Sequence, residues 1–151
     1  SDTFTEAHLL WMNQSYNPGK KGTDLYLKMN GRKLYEYALS NVPLLVKQCI
    51  EKAKLTLDKI SKVLLHQANE KMDEAILQRV FSLYEKVKIP EGIMPMIIDK
   101  LGNSSVATIP ILLDLILKGK LSTHTINPGD NLVFASVGAG MNINAITYRM
   151  A

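Results

Sequence analysis

His66 is the residue of this sequence best placed to do chemistry. It follows the apolar run Val63-Leu64-Leu65, which reads as a buried strand. Ligands in open α/β sheets collect at the C-terminal ends of strands, and an imidazole there can present or accept a proton near neutral pH. A hydrogen-bonded structural histidine fits the same position equally well. Asn103, in Gly102-Asn103-Ser104-Ser105, carries an amide that donates at any pH. It also has the ordinary reading of a helix N-cap. Gly138-Ala139-Gly140 is a weak signal alone, because glycines in a tight turn between strands need no ligand. Cys49 falls on the apolar stripe of a helix, which predicts a buried, inert thiol rather than a nucleophile. His8 and His124 have no supporting context.

The elements that position these groups follow from periodicity. Residues 7–12 read as a strand, and 13–23 as a loop in which Asn17-Pro18-Gly19 precedes Lys20 and Lys21. Residues 24–29 alternate, with Leu25, Leu27 and Met29 at a period of two, as a strand does. Asn30-Gly31 breaks that strand, and a helical region spans 32–53. Pro43 divides it, and fits the first turn of a second helix, where a missing N–H costs nothing. Val42, Leu45, Val46, Cys49, Ile50 and Ala53 make the stripe of that second helix. After strand 63–65, Asn69 caps a helix whose Met72, Ile76, Val80 and Leu83 face the core. Residues 89–101 read as a loop with a short buried strand at 96–98.

A helix over 104–118 is apolar almost all round, so it belongs mid-domain, covered on most sides. Pro110 inside it predicts a kink. Asn127-Pro128-Gly129-Asp130 is a turn, and strands 132–137 and 143–149 follow, joined through the glycine turn. Strands alternating with long helices imply a layered α/β domain. Its sheet is expected to be mixed, because the last two strands have a hairpin-length connection.

Composition narrows the function classes. Hydrophobic residues make up 46% and charged residues 21% of the 151, ordinary values for one soluble domain. No apolar run reaches the roughly 20 residues of a membrane span. The single cysteine excludes an internal disulfide framework and points to a reducing compartment. Lys plus Arg number 18 against 14 Asp plus Glu. The lysines are scattered without interleaved aromatics, which argues against single-strand nucleic acid binding and fits an acidic protein partner. The chain begins at Ser1, which reads as a processed or excised segment, so the lack of a leader says little about a parent protein.

Read in order, several strings are far more specific than any one. Met29-Asn30-Gly31-Arg32, Leu57-Asp58-Lys59-Ile60, His66-Gln67-Ala68-Asn69, Gly102-Asn103-Ser104-Ser105 with Ile109-Pro110, Asn127-Pro128-Gly129-Asp130 and Gly138-Ala139-Gly140 resemble the C-terminal half of type III beta-ketoacyl-acyl-carrier-protein synthases. The resemblance covers 24–149 well and the first 23 residues loosely. It implies an α/β fold: a thiolase-like C-terminal half, layered, with a mixed sheet, helices on both faces and one largely buried helix. Residues 1–151 would be that C-terminal domain. The N-terminal half, with its nucleophilic cysteine, would then lie outside this chain.

The resemblance also implies roles. The cysteine takes an acyl group from acyl-CoA, and malonyl-acyl carrier protein decarboxylates to the attacking enolate. His66 and Asn103 would be the catalytic pair, two donors aimed at the enolate oxygen; neutral imidazole can do this in one tautomer. The backbone N–H of Ala139 would serve a second oxyanion hole. Asn69 matches a pantetheine contact, and Lys71 falls where the family often has an arginine that docks the carrier protein. The whole enzyme is expected to be a cytoplasmic homodimer of fatty acid biosynthesis. It would use acyl-CoA and malonyl-acyl carrier protein as substrates, with no permanently bound cofactor, no metal, no nucleic acid and no membrane. Its partners would be acyl carrier protein and its own N-terminal half, and the isolated segment is expected to be inactive. Two departures bear on primer choice: Asn142-Ile143-Asn144 stands where the family often has Thr-Trp-Gly, and 81–94 is several residues longer than usual. A related polyketide or aryl-chain ketosynthase, or a non-catalytic carrier-docking module, remains the alternative.

Overall fold

The computed structural model describes residues 4–20, 22–86 and 88–151. Ser1, and Lys21 of the expected turn, lie outside them. The chain opens with a 3-10 turn, Phe4–Leu9, and an antiparallel pair, β1 (Leu10–Asn13) with β2 (Tyr26–Met29), Leu10 opposite Met29. The first strand therefore starts later than the 7–12 expected from the sequence. It begins where a partner is available, just past the Leu9 carbonyl that accepts from Asn30 N–H at 2.8 Å. Asn30 does not merely break a strand: its side chain caps α1 (Gly31–Lys52) by accepting from Lys33 N–H.

That helix is continuous through Pro43, where two helices were expected. A mid-helix proline strands the carbonyl four residues earlier. Here that carbonyl belongs to Leu39, and the Arg79 guanidinium donates to it at 3.3 Å. A neighbouring helix thus supplies the missing donor. Ala38, Leu39, Val42, Val46 and Ile50 are buried on the inner face; Leu45 and Cys49 are half-buried, and Ala53 is exposed beyond the helix end.

β3 (Ile60–Leu65) leads into α2 (Glu70–Ser82), capped by the Asn69 side chain accepting from Met72 N–H at 3.2 Å. No strand forms at 96–98; that stretch is loop followed by the short α3 (Ile98–Leu101). Burial of Ile93 and Ile97 accounts for its apolar look. Its backbone is held by single bonds rather than a ladder: Val63 N–H donates to Ile93 O at 2.8 Å. Gln67, fully buried, donates to Pro95 O at 2.8 Å and accepts from Ile97 N–H at 2.9 Å.

A 3-10 turn, Ser105–Ala107, precedes α4 (Thr108–Leu117). Pro110 is then in the first turn of α4, where its lack of an N–H costs nothing and no kink is required. β4 (Asn131–Gly138) and β5 (Asn142–Arg149) complete the chain. The sheet order is β3-β4-β5, parallel then antiparallel, with Leu65 beside Ala135 and Ala135 beside Ala145. The mixed sheet read from the sequence is present.

Alternation sorts the two faces. Val63, Leu65, Val133 and Ala135 pack under α1 and α2, while Leu64 and Phe134 meet Leu112 and Ile116 of α4. Helices therefore lie on both faces. The face of α4 bearing Thr108, Leu112 and Ile116 is buried, whereas Leu117 is 53% exposed; in this chain the helix is covered on the sheet side only. Among the described residues no helix is long and apolar enough to cross a membrane.

Gln67 ties the loop to the strand that ends in His66, and both backbone groups it serves sit in the interior. Gln67→Met should cost about 2–4 kcal/mol, since each orphaned buried polar group costs about 1–3 kcal/mol. Urea unfolding of the two proteins measures this directly.

Candidate functional site

Because β3 and β4 run parallel, their C-terminal ends share one edge of the sheet. His66 stands just past β3, its N–H donating to Ala135 O at 2.9 Å and so extending the ladder by one rung. Ala139 stands just past β4, exposed in a 3-10 turn, Ala139–Met141, in which Gly140 adopts φ +71°. That left-handed value favours glycine. Asn69 and Lys71, both exposed, open α2 at the same edge. The Asn69 cap uses its Oδ1, so the amide NH₂ is not consumed by it.

Asn103 reaches this edge through Ser105. Its Oδ1 accepts from Ser105 N–H at 2.8 Å, and the Ser105 carbonyl lies 3.1 Å from His66 Nδ1. One residue therefore joins the two predicted catalytic side chains. Asn103 does not cap α4, which starts further on; it closes a local turn instead, leaving its NH₂ end for other work. Gly102 has φ +65° and ψ −166°, a conformation that is essentially glycine's alone. Ser105 holds φ +50°, strained for a residue with a Cβ.

The tautomer of His66 follows from its partner. Ser105 O also accepts from Thr108 N–H and from Thr108 Oγ1 at 3.0 Å, and a carbonyl oxygen only accepts. Nδ1 must therefore carry the proton. In the neutral ring Nε2 is then bare, the opposite of what a neutral donor to an enolate would need. Burial pushes the imidazole below its ordinary value, opposed by the Ser105 carbonyl.

Cys49 is half-buried rather than buried, with Sγ 3.1 Å from Thr147 Oγ1. Thr147 pairs with Val133 and Val133 with Val63. His66 is thus roughly 10 Å further along the strands and roughly 10 Å across them. Cys49 is not the thiol partner of His66. His124 bonds Gly92 O at 3.2 Å through Nδ1, away from this edge.

One group went unread in the sequence. Asp73, on the buried face of α2, has no exposed surface, and neither carboxylate oxygen has a partner among the described residues. It lines a small cavity of about 10 Å³ together with His66. Burial pushes its carboxyl up to about 7. Only its place one residue beyond Met72, inside the apolar stripe, hinted at this.

Comparisons with known proteins supply the family and the fold. Residues 50–150 match the family model for the C-terminal part of 3-oxoacyl-[acyl-carrier-protein] synthase III. The chain belongs to this family. Beta-ketoacyl-[acyl-carrier-protein] synthase III of Pyropia yezoensis is 30% identical over 99% of this chain and 45% of its own length. That of Porphyra umbilicalis is 34% identical over 85% of this chain and 36% of its own. The chain thus spans less than half the length of these relatives. The crystal structure of the Thermus thermophilus synthase III superposes with a TM-score of 0.77 at 27% identity, covering 98% of this chain and 43% of that one. The priming beta-ketosynthase of the R1128 polyketide pathway shares the fold, with a TM-score of 0.78 at 21% identity over 97% of this chain and 42% of its own.

Asp73 gives a stability signature. Its folded carboxyl value lies above the ordinary 3.8, so any stability it lends is fully present below about pH 4 and is lost as pH rises through about 7. Asp73→Asn should therefore stabilise the protein at pH 8, on the order of 1–3 kcal/mol. It should change little at pH 4. Urea midpoints at the two values check the sign.

Proposed function

We propose that this chain is the C-terminal half of a condensing enzyme that joins an acyl-CoA primer to malonyl-acyl carrier protein in fatty acid biosynthesis. The observation that carries the reading is the Ser105 bridge, which orients an imidazole and a carboxamide at the edge where the parallel strands end. A cysteine of the N-terminal half would hold the acyl group. Loss of CO₂ from the malonyl unit leaves an enolate, with the charge on its thioester oxygen. Asn103 Nδ2 and His66 Nε2 donate to that oxygen, the ring doing so as imidazolium because Nδ1–H is already committed to Ser105. The charge disperses onto fixed donors at the moment it forms, which lowers the barrier. The new carbon–carbon bond follows by attack on the acyl-cysteine, and the backbone N–H of Ala139 steadies the resulting oxyanion.

Asn69 meets the pantetheine arm through its NH₂, and Lys71 draws the acidic carrier to the same rim. The reading includes a cytoplasmic homodimer with no permanently bound cofactor. Its support is the family, the single cysteine and the exposed basic residue beside the site.

In the whole protein, His66→Ala and Asn103→Ala should each slow malonyl decarboxylation by about 100- to 1,000-fold. Self-acylation by acyl-CoA should persist, as radiolabelled primer capture would show. Equal loss of both steps would mean the roles are misassigned, and a whole protein without a reactive cysteine would leave only a carrier-docking module. Lys71→Glu should raise the KM for malonyl-acyl carrier protein about 5- to 10-fold, a rim-charge effect. Its self-acylation with acyl-CoA should match the parent's.

A further inference from the structure

We propose that Asp73 is the positioning partner of His66: its carboxylate supplies the negative charge that lets the ring carry a proton on both nitrogens. Nε2 can then donate to substrate while Nδ1 stays on Ser105. The inference deepens the condensing reading above and rests on it for the identity of the substrate oxygen, though not for the pairing itself.

The argument begins with the Ser105 carbonyl. It holds three donors, His66 Nδ1, Thr108 N–H and Thr108 Oγ1, so the ring cannot turn a bare Nδ1 toward it without repulsion. A neutral imidazole has one N–H, and here it is spent. A second N–H requires the cation, which a half-buried position disfavours unless an opposite charge stands close.

One acidic side chain shares its surroundings. Asp73 lines the cavity that His66 also lines, and the cavity, about 10 Å³, has room for roughly one water. Among the described residues the rest of the lining holds no titratable group: α1 presents Val42, β3 Leu65, β4 Ala135, Ser136 and Val137, and α2 adds Met72 and Ile76. Both Asp73 oxygens lack partners among the described residues although the residue is fully buried. An unpaired buried carboxyl is costly to a fold. Asp73 also sits in the first turn of α2, its N–H on Asn69 O at 3.0 Å, where the helix N-terminus favours a negative charge. Carboxylate and imidazolium together are neutral. The proton the ring gains is the one the carboxyl gives up, so the cavity takes on no net charge.

The experiment uses the whole protein, with His66 followed by NMR of its ring. Asp73→Asn should lower the His66 titration midpoint by about one pH unit or more, the size a close opposite charge produces. Asp73→Glu should restore much of it. The alkaline limb of malonyl decarboxylation should move to lower pH by the same amount, with parent and variant converging in acid. An unmoved His66 midpoint overturns the proposal, as does a rate reduced by one factor at every pH. Should Asp73→Asn not fold, the unmodified protein still decides. The carbon-13 carboxyl signal of Asp73 and the His66 ring should share two titration steps, and independent single curves overturn the pairing. A displaced His66 midpoint in a protein that does not decarboxylate malonyl thioesters would uphold the pair and defeat only the condensing reading.

Discussion

The Ser105 peptide is the constraint on which the site depends. Its N–H fixes the oxygen end of Asn103 and its C=O fixes Nδ1 of His66. Two side chains that lie far apart in sequence are thereby oriented by one residue. The arrangement requires φ +50° at Ser105 and the glycine-only backbone of Gly102 just before Asn103. Backbone strain of this kind costs of order 1–3 kcal/mol per residue. It persists because the carbonyl is locked from three directions and because α4 begins immediately after it.

The other half of the geometry comes from the parallel pairing of β3 with β4. Parallel strands put both C-terminal ends at one edge, and the extra rung from His66 N–H to Ala135 O carries the ladder up to the histidine itself. Gln67 then clamps 95–97 against that strand from within the core. An amide is suited to this because it donates and accepts at once, serving a carbonyl and an N–H of the same loop. A glutamate there would lose the donor, and an apolar residue would lose both.

Much of this was legible in the sequence, and the failures have physical causes. Asn69 as a cap, the stripe of α2, the glycine turn and the strand ending at His66 all rest on local rules, and these four readings match the structure. Pro43 does not divide its helix because the donor that rescues it, Arg79, comes from another element. The strand expected at 96–98 is absent because a side chain, not a neighbouring strand, satisfies that backbone. Cys49 falls on the right face but is less covered than its stripe suggests, since it looks toward β5, an edge strand of the sheet. Asp73 escaped notice because an acidic residue in a first helical turn reads as ordinary dipole complementarity, and periodicity cannot tell which residue beside a stripe is drawn under it.

The uncovered side of the molecule bears on the chemistry as well. Val106 is 94% exposed, Ile146 59% and Leu117 53%, and Val106 directly follows Ser105. A donor to an enolate is worth most where water is excluded, because screening weakens every charge–dipole contact in the open. In this chain His66 is only half-buried and Asn103 is exposed. The residues are oriented here, but the medium that would make their hydrogen bonds strong is not complete within 151 residues. Under the condensing reading, the second half would bring the nucleophile and also dry the site over Val106. Orientation and desolvation would then be divided between the two halves, with this chain supplying the orientation.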